Sequence, residues 1–261
     1  MKLRPPFSIQ QLLFTAGCAF LFGASAFGLF GVTACGQDTV ITTDNQQRQV
    51  KVTGVSASGQ LEFLVGQGKL GLALSSVKEV RMAPPPEYSQ AFQAYQAKDF
   101  KKALELIKPI ADRFKGMPSP WAQQAVSMLG DLYIALNDLP QAETAYLNFK
   151  KLYPNGGSLQ SEVGLSRLAV AKKDYATAKQ KISPITEQAY KEKAPTLSNA
   201  LAYSQAFLVS GQVKEAEGNF PGALEDYLRT VTIFYQDRAA VSTALDRADA
   251  LRKAHKDITV P

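Results

Sequence analysis

The sequence predicts a mainly α protein: a helical-hairpin solenoid of about four repeats plus a capping helix, preceded by a small five-stranded β barrel or curled sheet. Three observations carry this expectation. Apolar residues alternate with period two between residues 38 and 83. Pro84-Pro85-Pro86 then interrupts the chain, and the pattern beyond it is almost wholly helical. Alanines recur in equivalent settings at Ala103, Ala142, Ala178 and Ala223, which are 39, 36 and 45 residues apart. A recurrence of that order marks arrays whose units bury their apolar faces only against their neighbours.

Residues 1–34 read as a signal peptide or a membrane anchor. Lys2 and Arg4 precede an uncharged run of apolar and small residues from Leu12 to Ala34, the order of features in a secretory signal. The run also reaches the roughly 20 residues that span a bilayer, so an uncleaved anchor stands beside a cleaved signal. Gly17, Gly23, Gly28 and Gly31 weaken it as a permanent helix by about 1 kcal/mol each relative to alanine. Val32-Thr33-Ala34-Cys35 resembles the lipobox of bacterial lipoproteins, which would make Cys35 the site of lipidation. The same bond also suits an ordinary signal peptidase, and Ala24-Ser25-Ala26 offers it a second site. The expected location is exported, in the periplasm or cell envelope, with membrane contact through the N-terminal segment or a lipid on Cys35. Cys18 and Cys35 are the two cysteines, so the body of the protein has no internal disulfide with which to brace its core.

Residues 35–83 form the β module. Val50 and Val52 alternate with polar neighbours, as do Leu61, Phe63 and Val65, and then Leu70, Leu72 and Leu74, while Val77, Val80 and Met82 close the segment. Period-two alternation of this kind marks half-buried strands. The intervening SASGQ and GQGK supply glycine for tight connections. Five short strands in so few residues resemble SH3-like or Sm-like barrels. No motif supports carrying over the RNA binding of Sm relatives.

Residues 84–86 form a stiff proline linker, and residues 87–256 the helical array, with repeats near 87–117, 123–156, 159–192 and 204–237 and a cap at 238–256. The second repeat is the clearest. Counted from Gln123 as position 1, it places Leu129 at 7, Gly130 at 8, Tyr133 at 11, Ala142 at 20, Tyr146 at 24, Phe149 at 27 and Pro154 at 32. That pattern resembles the tetratricopeptide repeat, a helix–turn–helix unit of 34 residues. Small residues at 8 and 20 let two helices touch, and aromatics at 11 and 24 fill the wedge between them. The first unit matches with Ala91, Phe100 and Ala103, the third with Leu165, Tyr175 and Ala178, and the fourth with Gly211, Phe220, Ala223 and Tyr227. The long spacing around KEKAPTLSNA predicts an extended first helix in the fourth unit, and DRAAVSTALDRADALRKAHK reads as an amphipathic cap. Pro109 and Pro184 occupy the same place in units one and three and should loosen or kink their helices.

The chemistry-bearing residues point away from catalysis. His255 is the single histidine, the body has no CxxC pair, and neither Gly66-Gln67-Gly68 nor Gly156-Gly157 continues into a phosphate-binding loop. No enzyme activity, metal or cofactor is expected. A net charge of +6 is too mild to suggest a nucleic-acid partner.

What the tetratricopeptide resemblance implies is a groove for a protein or peptide partner, lined by the first helix of each unit. The corresponding positions are Tyr88, Phe92 and Tyr95 in unit one, and Gln124 and Asp131 in unit two. Arg167 follows in unit three, with Gln212 and Glu215 in unit four. The aromatic stripe of unit one has a second reading, the plainer one, as core packing against the β segment. The clamp that grips chaperone tails is missing, because Ser127 and Asp131 stand where basic or amide groups would be needed. The chain is similar to tetratricopeptide lipoproteins of the bacterial envelope, which implies a non-catalytic scaffold or adaptor in envelope assembly or maintenance. A structural protein that self-assembles into a homo-oligomer, with no separate client, is the alternative.

Overall fold

A computed structural model of the protein describes residues 38–154, 157–256 and 258. The expected signal or anchor at 1–34 and the lipidation site Cys35 lie outside the described residues. Among the described residues no helix is long and apolar enough to cross a membrane.

Five strands come first: β1 (Asp38–Thr42), β2 (Gln47–Val55), β3 (Gln60–Val65), β4 (Gly68–Ala73) and β5 (Val77–Arg81), with a 3-10 turn over Leu74–Ser76. Their order across the sheet is β4-β3-β2-β1-β5, and every neighbouring pair is antiparallel. The alternation in the sequence sets the faces: Val50, Val52, Leu61 and Phe63 are buried on one side while Lys51 points to solvent. The first half of β2 pairs with β1 and its second half with β3, with a bulge between Val52 and Gly54, which curls the sheet. Gly54 adopts φ 153°, and a Cβ there would crowd Arg113. Of the two expected forms, barrel or curled sheet, the structure has an open sheet and not a closed barrel. Its outer edge at β5 is engaged by the helical part, where the Val80 N–H donates to the Pro118 carbonyl at 2.9 Å, so β4 has nothing to close onto.

Nine helices follow among the described residues: α1 (Pro86–Gln96), α2 (Phe100–Phe114), α3 (Pro120–Ala135), α4 (Leu139–Leu152), α5 (Ser158–Ala171), α6 (Tyr175–Lys191), α7 (Leu197–Ala216), α8 (Phe220–Thr232) and α9 (Arg238–Ala254). The first starts at Pro86, one residue inside the expected linker, because proline suits the first helical turn where its missing N–H costs nothing. Successive helices pack on one another in chain order, and α3 on α5, α5 on α7 and α7 on α9 also touch. The protein is therefore mainly α, built of four helix hairpins and a last helix.

One turn is repeated in all four hairpins. Lys98, Asn137, Lys173 and Gly218 take φ values of 61, 60, 60 and 79°. The next residues, Asp99, Asp138, Asp174 and Asn219, cap the second helix by accepting from the backbone N–H groups of Lys102, Gln141, Thr177 and Gly222. Each such cap contributes about 1 kcal/mol. Four residues further on, Ala103, Ala142, Ala178 and Ala223 are all 0 % exposed, so the recurring alanines are equivalent in packing as well as in sequence. The extended helix of the fourth unit is α7, at 20 residues the longest. Both α2 and α6 continue through Pro109 and Pro184, which lie exposed on the outer surface, where water can serve the carbonyls that each proline leaves unbonded.

The core explains why the β module and the array are not separate bodies. Val40, Val52, Leu61, Phe63 and Val80 of the sheet share one apolar cluster with Ala91, Ile107, Phe114, Met117 and Trp121 of the helices. Three polar contacts fix the junction. The Trp121 indole donates to the Met82 carbonyl at 3.1 Å, the Arg113 Nε to the Thr53 carbonyl at 2.7 Å, and Val80 to Pro118 as above. At the other end α9 lays Ala240, Ala244, Ala248 and Leu251 inward. The single histidine, His255, stacks there on Phe220 with ring centroids 3.8 Å apart.

In the middle, the Tyr146 ring of α4 is wedged against Gly130 of α3 and Gly164 of α5, and a Cβ at either glycine would overlap it. Gly164→Ala should therefore destabilise the fold by about 1–3 kcal/mol through overpacking, read as a lowered urea midpoint with an unchanged slope. Gly59→Ala, in the β2–β3 turn with nothing within 4 Å of the added carbon, is the control for a backbone cost without a clash.

Candidate partner-binding face

Each junction between successive odd-numbered helices carries a polar contact between their side chains. From α1 to α3, the Tyr88 hydroxyl donates to Gln124 Oε1 at 2.6 Å. From α3 to α5, Arg167 Nη1 pairs with Asp131 Oδ1. From α5 to α7, Gln160 Nε2 donates to Ser198 Oγ at 2.5 Å. Between α7 and the start of α9, Gln205 Nε2 donates to Asp237 Oδ2 at 2.7 Å, and Asp237 also caps α9 through Ala239 and Ala240. The partners are 36, 36, 38 and 32 residues apart, about one repeat in each case.

The electrostatic centre of this row is Asp131. It accepts from Arg167 and also from the hydroxyl of Tyr146, which reaches it from α4. The pair is well shielded, with side chains 24 % and 16 % exposed for Arg167 and Asp131. Burial is the largest single influence on Arg167 and opposes its charge, but the Asp131 carboxylate together with Tyr146, Tyr95 and Asp237 outweighs it, and the guanidinium is held above its ordinary value. Burial likewise raises the Tyr95 phenol, with Asp131 adding to the shift. The charges here are spent on one another. The face offers hydrogen bonds and apolar contact rather than a poised acid or base.

The structure brings several of the expected residues together and disperses others. Tyr88 and Gln124 form the first tie, and Tyr95, Asp131 and Arg167 converge at the second. Tyr88 and Tyr95 are also half-buried against the core, with Tyr88 edge-on to Trp121 at 6.0 Å and Tyr95 edge-on to Phe100 at 5.8 Å, so packing claims one side of each ring. Phe92 is the exposed member of the stripe, at 36 %. Gln212 is half-buried on α7. Glu215 faces the seam of α7, α8 and α9, accepting from the Tyr227 hydroxyl at 2.6 Å and meeting Arg247 at 3.3 Å.

Sequence reasoning missed Gln160, Ser198, Gln205 and Asp237. Pairing polar residues one repeat apart on the first helices would have found the tie between Gln160 and Ser198. Asp237 lies in the connection before α9, where the repeat frame gives no signal. A second surface was also missed, an open groove of about 600 Å³ between the α6–α7 and α8–α9 connections, lined by Tyr190, Leu197, Phe207, Arg229, Ile233 and Phe234. The Arg229 guanidinium sits 4.8 Å over the Tyr190 ring there. The groove arises where the repeat spacing is longest.

No protein-family model and no curated protein matches this sequence.

Removing the Asp131 carboxylate strands both Arg167 and the Tyr146 hydroxyl. Asp131→Ala should cost about 2–3 kcal/mol, and Asp131→Ala combined with Arg167→Met should cost less than the two single changes added together, in a double-mutant cycle of denaturation free energies.

The buried phenols also set an alkaline limit. Burial first, and then a carboxylate partner, raises Tyr146 (with Asp131), Tyr203 (with Glu192) and Tyr227 (with Glu215), and Tyr203 is pushed up to about 12. The folded value lies above the unfolded one near 10, so the stabilisation is complete below about pH 10 and is lost as pH rises through about 12. Denaturant midpoints should hold steady up to about pH 9.5 and fall beyond it, together with a late rise in tyrosinate absorbance.

Proposed function

We propose that this protein is an exported, non-catalytic adaptor of the cell envelope. Its helical part is a tetratricopeptide-type solenoid that binds an extended segment of a partner protein along its odd-numbered helices, and its sheet is an open, SH3-like module fused to the first two repeats. The repeat assignment is supported by the turn common to all four hairpins and by the fully buried alanines that follow it. The strand order, with a 3-10 turn before the last strand, supports the SH3-like reading. The observation that carries the binding role is the row of polar ties. A face locked at every junction is ordered before a partner arrives, so binding does not have to supply that ordering. Along it Phe92 stands out as an exposed aromatic beside Tyr88 and Gln124, the mixture of apolar and amide groups that suits a peptide main chain with apolar side chains.

The alternative, self-assembly into a homo-oligomer without a client, draws support from the unpaired outer edge of β4, since an open strand can template another.

Crosslinking capture on full-length protein in its native membrane tests the adaptor role. Phe92→Ala, alone and with Gln124→Ala, should lower the yield of specific crosslinked partners about tenfold while circular dichroism and the denaturation midpoint stay close to the parent. Unchanged capture by these folded variants would sink the assignment of the face. A large homo-oligomer in mild detergent, with no distinct protein crosslinked, would favour self-assembly.

A further inference from the structure

The inner face of the β3–β4 hairpin runs past the core it helps to build. Leu61 and Phe63 are buried, but Val65 and Leu70, on the same face, are 53 % and 54 % exposed. They are the exposed large apolar residues of the sheet among the described residues. The helices cover the other end: Arg113 packs at Gly54 and Leu74 meets Gly116. The hairpin tip is therefore left with an apolar inner face, while the exposed cations Lys51 and Lys69, which flank Leu64 in the register, lie on its outer face, the latter also meeting Glu62 at 2.8 Å.

Register places this tip at the point where the preceding chain enters the sheet. Asp38, the first residue of β1, pairs with Val50 of β2. On the other side of β2, Lys51 pairs with Leu64, one residue from Val65 at the tip. Two strand spacings, about 10 Å, separate Asp38 from Val65. Cys35 precedes Asp38 by three residues, so the anchor point and the sheet are at most about 11 Å apart along the chain. The run of uncharged residues from Leu12 to Ala34 ends just before it.

We infer that the β3–β4 hairpin tip rests on a lipid surface, with Val65 and Leu70 at the acyl boundary and Lys51 and Lys69 among anionic headgroups. The inference depends on the reading that the chain is anchored, through its apolar segment or a lipid on Cys35. On that reading the tip lies at the tethered end of the sheet. The side chains it presents there are of the kind that settle at an interface, apolar groups inward and lysine stems reaching to the headgroups.

Tryptophan quenching on the full-length chain tests this, because Trp121 is the single native tryptophan and is buried in the core, giving a constant background. Leu70→Trp and Val65→Trp, reconstituted in phosphatidylethanolamine–phosphatidylglycerol vesicles, should each lose about half of the added emission when the lipids carry brominated acyl chains. Ser75→Trp, exposed in the 3-10 turn at the opposite end of the sheet, should be unaffected. Vesicle-bound protein with no quenching at 65 or 70 overturns the inference while the anchor reading stands. A blue-shifted but unquenched Leu70→Trp overturns it in favour of cover by protein. Equal quenching at 70 and 75 overturns the stated orientation. Full-length protein that stays in the aqueous phase on vesicle flotation overturns the anchor reading and the inference together.

Discussion

The packing of the Tyr146 ring between two glycines governs how the two halves of the helical array meet. The ring touches α3 and α5 where Gly130 and Gly164 leave room for it, and Ala142 and Leu168 complete a small cluster around it. On one side lies the large core shared by the sheet and α1–α4, and on the other the cluster of α5–α7. Neither of those clusters reaches across, so the approach of α5 to α3 is set by one aromatic ring and the absence of two Cβ atoms. The same device recurs where Tyr227 lies against Gly211. In both places the hydroxyl finds a carboxylate on the preceding helix, Asp131 or Glu215, which satisfies a phenol that burial would otherwise leave unpaired.

That geometry also places the polar ties. With α3 and α5 in close contact through glycine, Asp131 and Arg167 come within ion-pair distance across the junction. A shielded pair of this kind adds little net stability, because desolvation offsets most of its Coulomb attraction, yet removing one member is costly. Its effect is to fix register. The pairs of Tyr88 with Gln124, Gln160 with Ser198, and Gln205 with Asp237 do the same with neutral or singly charged partners. Four helices and the start of a fifth are thereby held in one alignment by side chains that differ at every junction, which disfavours slippage of one repeat onto another's place.

The sequence made the repeating parts legible because they obey local rules. Small residues at Gly130, Ala142 and Gly211 could mean only close helix contact, and the alternation through Leu61 and Phe63 could mean only a strand with one buried face. Asp99, Asp138, Asp174 and Asn219 are equally readable as caps, each a short polar side chain directly ahead of the large apolar residue that opens a helix. What was not legible depends on contacts between distant segments. The sheet stays open because Pro118, in a loop 38 residues beyond Val80, occupies its edge. The stripe of Tyr88, Phe92 and Tyr95 divides between core and surface only once Trp121 and Phe100 are in place. Asp237 joins the face from a connection with no position in the repeat frame. Glu215, similar in frame to a groove residue, turns to Tyr227 and Arg247 because α9 packs on that side.

The shared core has a mechanical consequence for the whole molecule. Apolar packing from Val80 and Phe63 through to Trp121 and Ile107, together with the hydrogen bonds of Trp121, Arg113 and Val80 across the junction, leaves no hinge between the sheet and the first hairpins. Pro85 and Pro86 reinforce this, since their φ angles are preset and α1 begins at the second of them. Any surface that holds the sheet by its β1 and β3–β4 end therefore also fixes the direction of α1 and α3. The ties from α3 to α5, α7 and α9 carry that orientation along the row. Were the sheet held at that end, the odd-numbered helices would be oriented with it and would need no contact of their own to the surface.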